Sequence, residues 1–180
     1  MIYYFATRID MANKTNKLKV YLESSFVSYV TGRETTDLKI AECQVYTRRW
    51  VKEQAAKCDC CISQFVIDES VKGPRADVDR RIEFIEAQRR LEFDMSKVRM
   101  LAAQLLAGHA LPEKEATDAL HIAVASVTGM DVLLTWNCSH MANPHTLPKT
   151  KAIVRKAGYQ CPDIMTPKTF LENLELELVR

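Results

Sequence analysis

The stretch Asp131-Val132-Leu133-Leu134-Thr135 constrains the fold more than any other part of the chain. It is almost continuously apolar over the length of one strand, the pattern of a strand buried on both faces, and such strands belong to parallel sheets covered by helices on either side. Other short runs share its character. Lys19-Val20-Tyr21-Leu22 is β-branched and aromatic and stops at Glu23-Ser24-Ser25, which reads as a strand end followed by a helix start. Cys58 to Ser63 reads as a second strand, leading into a short helix from Phe65 to Val71 that Gly73-Pro74 ends. Between these strands, residues 37 to 57 carry Leu38, Ala41, Val45, Trp50 and Val51 at roughly helical spacing with no Gly or Pro, predicting a long amphipathic helix. Residues 77 to 91 and 99 to 109 predict two further helices, with a short edge strand at Glu92-Phe93-Asp94-Met95 between them. Leu111-Pro112-Glu113 is expected to open a helix that runs through Val127 and stops at Thr128-Gly129. Beyond the 131–135 strand come a turn at Asn143-Pro144, a helix over 149–157, a brief strand between Pro162 and Pro167, and a terminal helix from Lys168 to Leu178. Strands alternating with helices in this way predict an α/β fold with a parallel sheet between helical layers.

Composition narrows the function classes. Across 180 residues, 25 Lys and Arg stand against 23 Asp and Glu, a net charge of +2, which excludes a strongly basic tail protein. With 47% hydrophobic residues, 5 Gly and 6 Pro, the chain can bury one sizeable core, so a single domain is expected over residues 18–180. The polar residues 1–17 read as a partly disordered extension, with Met11 a second candidate start. Six Cys without a charged-then-apolar leader do not resemble a secreted disulfide framework, and the expected setting is reducing and cytoplasmic. The apolar runs fall well short of the ~20 residues of a membrane helix.

In open α/β sheets the ligand site lies beyond the carboxyl ends of the strands. Glu23 follows the first strand, Glu69 lies six residues beyond Ser63, and Asn137 follows the strand ending at Thr135. Asp118 sits in Ala116-Thr117-Asp118-Ala119-Leu120-His121-Ile122-Ala123-Val124-Ala125, a helix apolar nearly all round, where an unpaired carboxylate is costly. Each acid has a plainer reading: a solvated strand end for Glu23, an exposed helix acid for Glu69, a helix contact for Asp118, a turn residue for Asn137. If Glu23, Glu69 and Asp118 converge, they repel one another, and a divalent cation is the usual remedy. Oxygen ligands favour Mg²⁺ or Mn²⁺ over zinc.

Taken in order, these pieces resemble a PIN-domain nuclease of the VapC-like kind, the ribonuclease toxins of type II toxin-antitoxin pairs. The resemblance is carried by residues 20–30 (VYLESSFVSYV), 62–73 (ISQFVIDESVKG), 116–125 (ATDALHIAVA), 131–137 (DVLLTWN) and 163–171 (DIMTPKTFL), and so spans nearly the whole chain. It implies a three-layer α/β/α fold around a mainly parallel sheet of four to five strands. It also implies metal-dependent hydrolysis of RNA phosphodiester bonds, with tRNA or another structured RNA as substrate, a small DNA-binding antitoxin as partner, and a homodimer. Glu23 and Asp118 are then direct ligands of Mg²⁺ or Mn²⁺, Glu69 a ligand or the holder of a metal-bound water, and Asn137 the group that orients a water or second ion. Two positions depart from the family, which most often has Asp where this chain has Glu23 and where it has Asn137. The longer arm at Glu23 and the missing charge at Asn137 point to one metal rather than two, or to weaker binding. The alternative function is a catalytically weakened PIN-like module that binds RNA or protein. A receiver-like or phosphatase-like reading would want Asp after the first strand.

Ser24 and Ser25 are candidates to hydrogen-bond Glu23 or a scissile phosphate, or simply to cap a helix. His121, three residues after Asp118, is a candidate contact to that acid or to substrate, or a satisfied core histidine. Residues 144–159 carry Lys149, Lys151, Arg155 and Lys156 with no acid, a candidate phosphate-binding rim or an ordinary solvated face. Val45, Trp50 and Val51 face either an antitoxin or the core. Cys58-Asp59-Cys60-Cys61 reads as strand thiols, and His140 and His145 as loop surface.

Overall fold

A computed structural model of the protein describes residues 17–178; of the expected extension over residues 1–17, all but Lys17 lies outside them. Five strands form one sheet: β1 (Leu18–Leu22), β2 (Cys58–Ile62), β3 (Arg89–Arg90), β4 (Val132–Leu134) and β5 (Asp163–Met165). All are parallel, in the order β3-β2-β1-β4-β5. The register aligns Val20 with Val132 and Val132 with Asp163, so the carboxyl ends of β1, β4 and β5 finish side by side. The centre of β1 and all of β4 are buried, as an apolar run covered on both faces requires.

Eight α-helices flank the sheet among the described residues: α1 (Ser24–Thr31), α2 (Leu38–Gln54), α3 (Gln64–Ser70), α4 (Arg75–Glu86), α5 (Met95–Ala107), α6 (Ala116–Val127), α7 (Leu147–Lys156) and α8 (Pro167–Leu178). Contacts of α1 with α2 and α4, and of α2 with α8, build one layer, while α5 with α6 and α7 builds the other. The result is the three-layer α/β/α architecture that the residue pattern predicts. Trp50, fully buried, joins α1, α2 and α8 within their layer by edge-on contacts with Phe26 at 5.5 Å and Phe170 at 5.6 Å. Trp50 is therefore a core residue and does not face a partner. Val45 on the same helix is 62% exposed. Among the described residues no helix is long and apolar enough to cross a membrane.

Two boundaries differ from expectation. The edge strand is Arg89–Arg90, not residues 92–95, and the helix before it ends at Glu86. The pair is held from outside: Cys61 and Ile62 pair with Arg89 and Arg90, and the Arg89 guanidinium reaches Asp59 with both nitrogens at 3.0 and 2.7 Å. A short charged edge of this kind discourages further strand addition. Asp94, expected in a strand, instead caps α5, accepting from the amides of Ser96 and Lys97. Likewise, the helix expected to open at Leu111 begins at Ala116, because the chain turns through His109, whose φ is 52°, and buries Ala110 and Leu111 first. Asp118 thereby lies in the first turn of α6 rather than in its interior, where exposed amides and the helix dipole favour a carboxylate.

Candidate metal centre

Glu23 leaves the carboxyl end of β1, and its amide adds one more ladder bond to Leu134 O at 3.1 Å. Its side chain is 5% exposed and turns back as the cap of α1. Oε2 accepts from the Ser25 amide at 3.0 Å, from the Ser25 hydroxyl and from the Thr135 hydroxyl at 2.8 Å, and Oε1 accepts from the Ser24 hydroxyl. Oε2 is saturated; Oε1 keeps a lone pair. Ser25 also accepts from the Trp136 amide at 2.8 Å, so it braces β1 against the segment after β4.

Glu69, on α3, accepts from His121 Nε2 at 2.9 Å and gathers with Glu23 and His121 so that one ligand atom from each lies within 4.8 Å of the others. Burial alone would raise the Glu69 carboxyl, but hydrogen bonding, chiefly from His121, and the nearby Lys72 charge outweigh it and hold the group below its ordinary value.

Asp118 belongs to a neighbouring group with Glu115 and His140, again within 4.8 Å. Its Oδ2 accepts from Asn137 Nδ2 at 2.7 Å and stands 3.3 Å from His140 Nδ1. Burial raises the Asp118 carboxyl first, and the charges of Glu23 and Glu115 raise it further against the opposing pull of His121 and His140. The two groups are linked by hydrogen bonds: Thr135 donates to Glu23 and accepts the Asn137 amide at 3.0 Å, and Asn137 Nδ2 donates to Asp118. No Lys or Arg pairs with Glu23, Glu69 or Asp118 among the described residues.

Three of the four expected residues are thus gathered at the carboxyl ends of the strands, with Asn137 as their brace. Asn137 spends Nδ2 on Asp118 and accepts the His140 amide on Oδ1 at 3.1 Å, so both ends of the amide are engaged within the protein. His121 is 1% exposed and contacts Glu69 rather than Asp118. On α7, Lys149 donates to the His109 carbonyl at 3.3 Å, Lys151 pairs with Asp163 at the amino end of β5 at 3.0 Å, and Arg155 is exposed. Lys151 is thereby committed away from the acids. Glu115, Thr135 and His140 were not singled out as site residues from the sequence. Spacing carried a signal for two of them, since Glu115 and Asp118 share a helix face at i, i+3 and His140 follows Asn137 by three residues.

The donor set suits a hard divalent cation. Glu23 Oε1 has spare capacity, Asp118 Oδ1 accepts no hydrogen bond among the described residues, and further carboxylates, Glu69 and Glu115, stand beside them. No protein-family model matches the chain, and no curated protein matches it.

Proposed function

We propose that this chain is a PIN-like, metal-dependent endoribonuclease that acts as the toxin of a toxin-antitoxin pair on tRNA or another structured RNA. The observation that carries the reading is the gathering of Glu23, Glu69 and Asp118 in two linked groups at the carboxyl ends of a parallel sheet, with no Lys or Arg ion-paired to them among the described residues. Glu23 and Asp118 hold Mg²⁺ or Mn²⁺ through oxygen, and Glu69, aimed by His121, is a further ligand or holds the ion's water. Such an ion lowers the pKa of a bound water and neutralises charge on the scissile phosphate. Ser25 and Thr135 fix the direction of Glu23, and Asn137 fixes that of Asp118. Because Asn137 is spent on Asp118 and His140, the ligand set serves one ion rather than two. The same observation supports the second reading, a weakened module that binds RNA without cutting it. A cytoplasmic setting accords with six cysteines that are all free thiols. The antitoxin and a homodimer belong to the same proposal.

The test is incubation of the purified chain with tRNA and other structured RNAs in Mg²⁺, Mn²⁺ or EDTA. Cleavage that needs metal and disappears in Asp118→Ala supports the nuclease. RNA or antitoxin binding without cleavage at any metal concentration leaves the binding module.

A further inference from the structure

Behind the acids runs a line of buried polar groups of which the proposed chemistry uses only the last, His121. Ser63 closes β2 and is fully buried; its hydroxyl lies 2.6 Å from the Tyr21 hydroxyl. Tyr21, in β1 two residues before Glu23 and equally buried, lies 2.7 Å from His121 Nδ1. The other ring nitrogen of His121 meets Glu69 Oε2 at 2.9 Å. Phe65 stands edge-on to the imidazole at 6.3 Å and stacks on Phe93, so the line passes through an apolar sleeve.

Proton counting fixes its direction. The carboxylate of Glu69 accepts in the 2.9 Å contact, so His121 Nε2 carries the hydrogen. The Tyr21 hydroxyl has one proton to give and stands between two partners, Ser63 and His121 Nδ1. If Nδ1 were protonated as well, Tyr21 would have to donate to Ser63, whose own proton would then find no acceptor among the described residues. With a neutral imidazole, Ser63 donates to Tyr21, Tyr21 to Nδ1, and Nε2–H to Glu69, and every proton is placed. We propose that Ser63, Tyr21 and His121 form a one-way hydrogen-bond relay that holds His121 in its Nε2–H tautomer and so positions the Glu69 carboxylate for a cation. The three are positioning residues, and their role toward the cation rests on the proposed metal site. Each bond of such a chain polarises the next, and its loss at any link loosens the last.

The experiment joins two readouts on the full chain. Long-range ¹⁵N–¹H correlation of the histidine rings in metal-free protein reads the tautomer, and Mn²⁺ titration followed by electron paramagnetic resonance reads the midpoint of binding. Wild type should show protonated Nε2 and unprotonated Nδ1 at His121. Tyr21→Phe should weaken Mn²⁺ binding roughly ten- to a hundredfold, and Ser63→Ala, at the far end, by less. Circular dichroism checks that both variants fold. An Nδ1–H tautomer in wild type overturns the relay, and so does an unchanged Mn²⁺ midpoint in Tyr21→Phe beside measurable wild-type binding. Wild type with the expected tautomer and no Mn²⁺ uptake sinks the metal reading and leaves the relay standing as the anchor of Glu69.

Discussion

Replacing Asp118 by Asn should have opposite effects on stability with and without metal. Asp118 and Glu115 present carboxylate oxygens within 4.8 Å of one another. At that separation two unit charges repel by about 0.9 kcal/mol in water and about 3.5 kcal/mol at an effective dielectric constant of ~20. Glu115 is 24% and Asp118 13% exposed, so the repulsion is only partly screened, but the His140 ring 3.3 Å from Asp118 offsets part of it and leaves a net cost of about 1 kcal/mol. Glu23 adds to this repulsion and His140 opposes it. The amide of Asp118→Asn keeps an oxygen for Asn137 Nδ2 and turns a donor toward Glu115. In EDTA, therefore, the variant should melt about 2–4 °C above wild type. Its acid profile should differ too. Because the folded pKa of Asp118 is raised above 3.8, the native state binds more protons in that window, and this residue's contribution falls as pH rises from 3.8 through the folded value. Asp118→Asn should remove that decline. With Mn²⁺ at a hundred times its Kd, wild type should gain about 2.7 kcal/mol, roughly 5–10 °C, and the variant almost nothing. Differential scanning fluorimetry in EDTA and in Mn²⁺ measures both. A variant less stable than wild type in EDTA, or one that keeps the Mn²⁺ shift, refutes the account of Asp118.

Glu23→Gln places an NH₂ group where the carboxylate meets Ser24, Ser25 and Thr135, and should cost about 1–3 kcal/mol in urea unfolding. Glu69 titrates in the opposite sense to Asp118: its folded pKa lies below 4.5, so its contribution is present above 4.5 and is lost as pH falls through the folded value. Glu69→Gln should flatten that acid-side loss in a pH series of urea midpoints; an unchanged profile would show that His121 does not hold the carboxylate. Trp50→Ala should cost about 3–5 kcal/mol, because the indole is fully buried between Phe26 and Phe170. A loss below 1 kcal/mol would return Trp50 to the surface.

The fold was legible where apolar runs had strand length and helices had clean periods. Val132-Leu133-Leu134 and Val20-Tyr21-Leu22 announce buried parallel strands because neither face can be polar there. Arg89-Arg90 carries no such mark: its strand state comes from pairing with Cys61 and Ile62 and from Asp59, information held thirty residues earlier in the chain. The start of α6 was misplaced because Pro112 and Glu113 are sound helix openers locally, while burial of Ala110 and Leu111 decides the turn. In the site, Glu23, Glu69 and Asp118 were readable from their places after strands and within an apolar helix. The partners of those acids were not. Tyr21 and Ser63 look like ordinary core and strand-end residues in one dimension, and only the alignment of β1, β2 and α6 brings them to His121.

The most direct test of a cation held by these acids is anomalous diffraction from crystals soaked in Mn²⁺. A single peak within coordination distance of Glu23 and Asp118 oxygens, in the space that Glu69 faces, is the predicted result, together with its absence in Asp118→Asn. Crystals that show no peak there at saturating Mn²⁺, or an equal peak in the variant, would contradict it.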